Sequence, residues 1–154
     1  PDDGEALARL IKLKSRDAAK GLILIAGDIA QLEPWLAGVT VEQREQLLAS
    51  WPGPYTWLVP DNGRAHPLLR SEHVSLAVRV TDHPLVQALC AAFGGPLVST
   101  SANRAGESPA MTADEVRDAF GDALVNDVIL EGPLGGNPRP STIRDLATGK
   151  VLRA

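Results

Sequence analysis

The sequence has one cysteine, no apolar run of membrane-spanning length and no excess of positive charge, and each shortage excludes a class of protein. With Cys90 alone, the chain cannot build a disulfide framework, which is typical of proteins in a reducing compartment. A membrane-spanning helix needs about 20 apolar residues in succession, and no run approaches that length. No signal peptide is recognisable at the start. We therefore expect a cytoplasmic protein with no membrane partner.

The charge balance bears on the kind of anion site that the protein can have. The 15 basic and 19 acidic residues give a net charge of −4. A protein that holds nucleic acid along its whole surface is usually strongly basic. Any site for a nucleotide or a phosphate must therefore be local.

Common cofactor and metal motifs are also absent. The sequence has no G-x-x-x-x-G-K-[ST] loop and no G-x-G-x-x-G stretch, which argues against a P-loop and a Rossmann dinucleotide site. It has no paired-cysteine motif and no H-E-x-x-H, which argues against zinc. The three histidines, His66, His73 and His83, are scattered along the chain. We predict no metal site held by the protein alone and no catalytic triad.

The apolar pattern predicts one domain in which strands and helices alternate. At 154 residues the chain can bury a single substantial core. The clearest strand places Leu76 and Val78 with Val74 and Val80 on an apolar face, and leaves Ser75, Ala77 and Arg79 opposite. Strands among helices, with a hairpin at the end, predict a single α/β domain with a twisted mixed sheet and flanking helices. Helices are predicted over 3–13, 41–49, 84–93 and 112–120, and strands over 21–26, 55–60, 74–80, 96–100, 125–130, 141–146 and 150–153.

Lysines and arginine are concentrated just after the first predicted helix, at Lys14, Arg16 and Lys20. Residues two apart point to the same side of an extended segment and to different sides of a helix. If the chain is extended after Leu13, these cations form a positive site suited to a polyphosphate. The alternative is a solvated helix end, where cations offset the helix dipole.

A polar loop, Ser99-Thr100-Ser101-Ala102-Asn103, directly follows an apolar strand. Ser101 and Asn103 are two apart, so both can project into one cleft from an extended loop. Hydroxyl, amide and backbone N–H groups at the end of a strand commonly hold phosphate or a metal-bound oxygen. The alternative is a turn that satisfies only its own backbone.

Arg79 lies on a strand whose other face is aliphatic. A guanidinium there must reach either solvent or a buried anion, and the anion would be a carboxylate or a phosphate. An arginine on an edge strand is the alternative.

Five segments, in order, resemble the YrdC/Sua5 family in its short, single-domain form. They span almost the whole chain, and the agreement in order makes the resemblance specific. The segments are Lys14-Ser15-Arg16 with Lys20 and the strand that follows, Trp51-Pro52-Gly53-Pro54 with Thr56, residues 75–84, Ser99 to Asn103, and residues 140–145.

The resemblance implies a YrdC/RibB-like fold and a threonylcarbamoyl-AMP synthase. Such an enzyme converts L-threonine, bicarbonate and ATP, with Mg²⁺, into threonylcarbamoyl-adenylate and pyrophosphate, for tRNA modification by downstream threonylcarbamoyl-transferase proteins. The family's K-x-R and S-x-N pairs fall on Lys14, Arg16, Ser101 and Asn103, as the catalytic residues. The resemblance also implies nucleotide contacts by Arg16, Lys20, Ser75, Ser101, Asn103 and Arg153, and threonine contacts by Arg79, Ser99 and Ser141.

One part of the family pattern has no counterpart here. The family's first strand and loop, P-T-[DE]-[TA]-x-[YF]-G, do not precede Pro1, and the chain has no initiator methionine, so we expect an N-terminally incomplete domain over 1–154. Two other functions stay open: a non-catalytic RNA-binding module in tRNA or ribosome maturation, and a carbamoyl-adenylate-handling domain of the hydrogenase maturation type.

Overall fold

The structure is a computed structural model that describes residues 1–15, 21–124 and 127–154. Among these residues, six strands form one sheet in the order β4-β1-β3-β2-β5-β6, with helices around it. The strands are β1 Ile23–Ala26, β2 Tyr55–Pro60, β3 Ser75–Val80, β4 Leu97–Ser99, β5 Thr142–Asp145 and β6 Val151–Arg153. The helices are α1 Gly4–Leu13, α2 Glu33–Leu36, α3 Val41–Ser50, α4 Pro67–Arg70, α5 Pro84–Phe93 and α6 Ala113–Phe120, with short 3₁₀ turns at Ile29–Leu32 and Gly121–Ala123.

Local signals explain where the longer helices begin and end. The carboxylate of Asp3 accepts hydrogen bonds from the backbone of the first turn of α1. Thr40 and Gln43 form a reciprocal capping box at the start of α3. Pro84 opens α5, and Gly94 ends it in the left-handed conformation, with φ of 83°. Sequence signals therefore account for the start of α1, the start of α3 and both ends of α5.

The sheet is mixed, as the sequence predicts. Strand β1 pairs parallel with β3 and antiparallel with β4. Strand β2 pairs antiparallel with β3 and parallel with β5. Strands β5 and β6 form the closing hairpin, in which the backbone N–H of Asp145 donates to the carbonyl of Lys150.

The hydrophobic core covers one face of the sheet. Leu24 of β1, Val78 of β3 and Val59 of β2 are completely buried there. Helices α1 to α4 close over this face and bury the remaining apolar side chains. The core residues that they contribute include Leu7, Trp35, Leu36, Leu47 and Leu69.

Two properties predicted from composition can be compared with the structure. No helix in the described ranges is long and apolar enough to cross a membrane. Cys90 is a free, buried cysteine on α5. Its Sγ lies 3.7 Å from the carbonyl oxygen of Ile25 in β1. Burial raises the pKa of this thiol.

Three local predictions are wrong. Val74 is exposed and precedes β3, because the strand begins one residue later. Residues 127–130 of the predicted strand 125–130 pair with no described strand, although Val125 and Asn126 lie outside the described residues. The segment after Leu13 is not extended at its start: Lys14 keeps helical backbone angles and Ser15 has φ of 47°. The short helices α2 and α4 were not predicted, because four residues are too few to show a period.

Candidate active site

Polar side chains of the central strands lie on the sheet face opposite the core, here called the open face. Because side chains alternate along a strand, the residues between the buried positions of β3 point away from the core. These residues are Ser75, Ala77 and Arg79. Ile23 of β1 is paired with both Ala77 and Ser99, so Ser99 of β4 shares their face. The predicted alternation of β3 is therefore confirmed from Ser75 to Val80.

Strands β2, β5 and β6 continue the open face. In β2, Trp57 is paired with the core residue Val78 and therefore points toward the core. Thr56, one residue earlier, points to the open face. Thr56 is paired with Ile143, and Ile143 is paired with Arg153. Paired residues share a face, so Arg153 projects from the same side of the sheet as Arg79.

A cavity of about 350 Å³ lies on the open face, and we call it the serine cavity. Five of the residues singled out from the sequence line it: Arg79, Ser99, Ser101, Ser141 and Arg153. They come from β3, β4, the loop after β4, the residue before β5, and β6. Positions far apart in the sequence thus meet at one place because the sheet order brings their strands together.

Two further cavities adjoin the serine cavity. One, of about 260 Å³, has Ser75 and Arg153 on its wall and Ile23 and Ala77 on its apolar floor. The other, of about 770 Å³, shares Arg79 with the serine cavity and extends toward the start of α5. The open face therefore offers a continuous groove with a polar centre.

Lys14 is buried, with 3% of its surface exposed, although it carries a charge. Its Nζ donates to the backbone carbonyl oxygens of Ser101 and Asn103, the latter at 2.7 Å. The backbone adds a third link, because the N–H of Ala105 donates to the carbonyl of Lys14 at 2.9 Å. Lys14 thus fastens the loop after β4 to the end of α1, so two of the polar segments singled out from the sequence are in contact.

The Ser101–Asn103 loop also stabilises itself. The Ser101 hydroxyl donates to Oδ1 of Asn103 at 2.5 Å. Nδ2 of Asn103 donates to the carbonyls of Arg104 and Glu107 at 3.0 and 2.9 Å. Asn103 does not line the serine cavity, whereas Ser101 is exposed at its edge. The amide therefore orients the hydroxyl that faces the cavity.

Arg79 is held in place by the segment before β2. Its Nε donates to the carbonyl of Gly53 at 2.9 Å, and the N–H of Gly53 donates to the carbonyl of Val80 at 3.0 Å. Gly53 follows Pro52, whose peptide bond to Trp51 is cis. Burial lowers the pKa of the Arg79 guanidinium, and the nearby Asp82 acts in the opposite direction. A partly buried, fixed guanidinium is suited to a carboxylate ligand.

Ser141 and Arg153 are joined by a small network that includes Thr56. The Thr56 and Ser141 hydroxyls are 2.7 Å apart. Arg153 donates from Nε and Nη2 to the Ser141 carbonyl at 2.9 and 2.8 Å, and from Nη2 to the Ser141 hydroxyl at 3.2 Å. Because Thr56 is completely buried, it fixes the Ser141 side chain from below.

The structure thus brings together Arg79, Ser99, Ser101, Ser141 and Arg153, with Ser75 in the adjoining cavity. Asn103 lies within the loop after β4, and Lys14 donates to the backbone of that loop. Arg16 and Lys20 lie outside the described residues. The supporting roles of Thr56 and Gly53 were missed, although both stand in the segment 51–56 on which the family resemblance partly rests. Only their place within that segment could have indicated them, since neither a threonine nor a glycine marks a site by itself.

The residues available to a metal ion are oxygen donors. Within the described ranges, no group of three or more His, Cys, Asp and Glu side chains is placed to hold a metal. The Ser101 hydroxyl at the cavity edge is an oxygen donor of the kind that Mg²⁺ accepts, and Mg²⁺ typically needs only one or two protein ligands when phosphates supply others. The donor set therefore fits an ion that arrives together with a nucleotide.

Comparison with known proteins identifies relatives of the whole chain. The family model Sua5_yciO_yrdC, described as telomere recombination, matches residues 1–154. A threonylcarbamoyl-AMP synthase of Chromohalobacter salexigens is 72% identical over 153 residues, which are 99% of this chain and 81% of that protein.

Solved structures show the same fold. A variant of P. abyssi Sua5 has a TM-score of 0.86 and 26% identity, over 94% of this chain and 44% of its own. P. abyssi Sua5 complexed with L-threonine has a TM-score of 0.84 and 23% identity, over 97% of this chain and 43% of its own. The single-domain α/β fold with a mixed sheet is thereby confirmed.

Proposed function

The chain belongs to the Sua5/YciO/YrdC family, and from that membership we propose that it acts as a threonylcarbamoyl-AMP synthase. The enzyme forms threonylcarbamoyl-adenylate from L-threonine, bicarbonate and ATP and releases pyrophosphate. Its product supplies the threonylcarbamoyl group of N6-threonylcarbamoyladenosine in tRNA, through downstream threonylcarbamoyl-transferase proteins. We propose that the enzyme acts in the cytoplasm, where tRNA and ATP are both present.

The observation that carries the proposal is the serine cavity. Two arginines, Arg79 and Arg153, and three serines line it. Its volume of about 350 Å³ is at the lower end of the range for small-molecule sites. An amino acid with a carboxylate and a hydroxyl group matches this combination of donors, and the adjoining cavities leave room for a nucleotide.

We assign the threonine contacts to Arg79, Ser99 and Ser141. Arg79 faces the carboxylate, because its guanidinium is held by Gly53 and a carboxylate is the anion that an arginine fork binds best. The hydroxyl of Ser141 is fixed by Thr56 and Arg153, so it can take part in a hydrogen bond with the substrate without first being ordered. Such preorganisation lowers the entropic cost of binding.

The nucleotide lies along the other side of the cavity. We assign its contacts to Ser75, Ser101 and Arg153, which line the serine cavity or the cavity next to it. By family resemblance, Arg16 and Lys20 add positive charge at the phosphates. A Mg²⁺ ion bound with ATP would neutralise phosphate charge there, and the Ser101 hydroxyl at the cavity edge is the oxygen donor that could help to hold it.

The proposed reaction needs no catalytic triad. The threonine amino group adds to the carbon of bicarbonate, and water is lost to give a carbamate. A carbamate oxygen then forms a bond to the α-phosphorus of ATP while the bond to the bridging oxygen breaks, and pyrophosphate leaves with that electron pair. Because the carbamate is already a nucleophile, the protein contributes alignment and charge stabilisation.

Lys14 acts mainly by positioning in this scheme. Its ammonium donates to the carbonyls of Ser101 and Asn103, and it thereby fixes the loop whose hydroxyl faces the cavity. The same charge also lies beneath the loop that meets the phosphates. Its contribution to catalysis therefore combines geometry with a local positive potential.

A pyrophosphate-release assay tests the proposal. The purified protein is given threonine, bicarbonate, Mg²⁺ and ATP, and release must depend on threonine. Loss of a charged hydrogen bond of about 1.5–3 kcal/mol predicts that Arg79→Met raises the KM for threonine by roughly ten- to a hundredfold. Ser101→Ala lowers kcat, whereas the matched control Ser108→Ala, an exposed serine outside the cavity, retains wild-type kinetics.

Two results would contradict the proposal. Pyrophosphate release that is unaffected by omission of threonine would exclude threonine as the substrate. Tight RNA binding by a protein that releases no pyrophosphate under any of these conditions would instead support a non-catalytic RNA-binding module.

A further inference from the structure

Residues 132–140, which we call the strap, form an exposed segment without helix or strand before β5. The strap forms one wall of the 770 Å³ cavity through Pro133, Leu134 and Gly135. Arg79 and Ser141 line the same cavity. The strap therefore borders the same cavity as two residues assigned to threonine.

His83 makes the hydrogen bond that holds the strap. Its Nε2 lies 3.0 Å from the carbonyl oxygen of Pro133. A carbonyl oxygen can only accept, so Nε2 is the donor. Among the described residues, this is the hydrogen bond that joins the strap to the rest of the chain; the bond from the Arg139 N–H to Asn137 is internal to the strap.

Two glycines let the strap lie directly on the first turn of α5. A Cβ at Gly135 would be 3.3 Å from Cδ2 of His83, and a Cβ at Gly132 would be 2.6 Å from a methyl carbon of Leu85. The second distance is too short for any side chain without movement. A side chain at either position would therefore press against His83 or Leu85 and shift the strap or that side chain.

His83 is itself fixed relative to Arg79. Its backbone N–H donates to the hydroxyl of Thr81 at 3.1 Å, and Thr81 is buried directly after β3, the strand that carries Arg79. The hydrogen bond from His83 to Pro133 therefore sets the distance between the strap and the Arg79 side of the cavity.

The hydrogen bond to Pro133 is the one that the His83 ring makes among the described residues. Nδ1 of His83 is buried and has no hydrogen-bond partner among the described residues. A buried polar atom without a partner is unfavourable, and an apolar side chain would avoid that cost. The side chain's benefit thus lies in its bond to the strap.

We propose that His83 is a positioning residue, which holds the strap closed over the threonine-binding side of the cavity. The inference rests on the proposed function, since it names a further determinant of threonine binding. His83 touches no reacting atom in this scheme. Loss of its bond lets the strap move away from Arg79 and Ser141, which weakens threonine binding and leaves ATP binding unchanged.

The test compares His83→Gln with His83→Asn. Gln places its Nε2–H close to the position of the histidine Nε2–H, whereas the shorter Asn places its amide near Nδ1 and cannot reach Pro133. We expect Asn to raise the KM for threonine about fivefold, the effect of one lost hydrogen bond, with kcat and the KM for ATP within twofold of wild type. Gln restores most of the threonine affinity.

Hydrogen exchange of the strap amides, measured without substrate, tests the hydrogen bond between His83 and Pro133 independently of activity. His83→Asn is expected to speed exchange over residues 134–137 several-fold, and Gln to leave it near wild type. Gly135→Ala provides a second perturbation that leaves His83 intact, and it is expected to raise the KM for threonine in the same way.

The inference is overturned if Asn and Gln behave alike in exchange and in KM, or if Gly135→Ala leaves the KM for threonine unchanged. A uniform loss of kcat for every variant, with KM unaltered, also overturns it. If the wild-type protein shows no threonine-dependent pyrophosphate release, the proposed function fails, while the exchange comparison still decides whether His83 holds the strap.

Discussion

Replacing Lys14 by methionine removes the ammonium group while keeping a side chain of similar length. In the structure, Nζ donates to the carbonyls of Ser101 and Asn103. Hydrogen bonds from a charged donor each stabilise the fold by about 1.5–3 kcal/mol. Burying the ammonium group costs several kcal/mol and offsets part of that stabilisation. We expect a net loss of about 2 kcal/mol in the free energy of unfolding, because two partly buried hydrogen bonds lose their charged donor.

Urea unfolding of Lys14→Met and of the matched control Lys12→Met measures this loss. Lys12 is exposed on the last turn of α1, so its substitution is expected to change stability by less than about 0.5 kcal/mol. Hydrogen exchange over residues 101–105 reports the loop directly and is expected to accelerate in Lys14→Met alone. Equal stability of the two variants, with unchanged exchange in the loop, would refute the positioning role.

Three further predictions concern residues that do not line the serine cavity. Thr56→Val removes the hydroxyl that fixes Ser141; we expect a loss of about 1 kcal/mol in urea unfolding and a higher KM for threonine, and an unchanged KM would contradict this role. Gly27→Ala places a Cβ 3.0 Å from the α5 backbone and is expected to lower the free energy of unfolding by about 1–3 kcal/mol. Gly95→Ala meets no atom within 4 Å and is expected to leave stability nearly unchanged. Calorimetric melting of both variants separates local crowding from a general intolerance to alanine. The thiol of Cys90, whose pKa is raised by burial, is expected to react with iodoacetamide slowly in the native protein and rapidly in urea, and fast native alkylation would show that α5 opens readily.

Alternation along a strand predicted the most important part of the site. The pattern of β3 placed Ser75 and Arg79 on the face opposite the aliphatic residues, and the structure agrees. That inference needs only the two-residue period of a strand. Which strands lie beside β3 depends on long-range pairing, so only the family resemblance could indicate that Ser141 and Arg153 meet Arg79.

The predicted conformation at Lys14 is wrong, although Lys14 does contact the Ser101–Asn103 loop. The spacing of Lys14 and Arg16 suggested an extended segment, yet Lys14 caps α1 with helical backbone angles. Its cationic group then found partners in backbone carbonyls of the loop after β4. A pattern of side chains cannot reveal a partner that belongs to the backbone of a distant loop.

The failed strand prediction has a similar cause. Residues 127–130 carry the apolar, β-branched composition of a strand, but Val128 is 86% exposed and pairs with no described strand. Composition reports the tendency of a segment to be extended, whereas a strand also needs a neighbour for its backbone hydrogen bonds. The strap that follows shows no period, and its contact with His83 could not be foreseen from sequence.

Direct detection of the product is the most decisive measurement of the proposed chemistry. The protein is incubated with threonine, ATP, Mg²⁺ and ¹³C-labelled bicarbonate, and the mixture is analysed at once by mass spectrometry. We predict an adenylate that contains both threonine and the labelled carbon, formed by the wild type and strongly reduced in Arg79→Met. Pyrophosphate release without any labelled threonylcarbamoyl-adenylate would contradict the assignment of the serine cavity to this reaction.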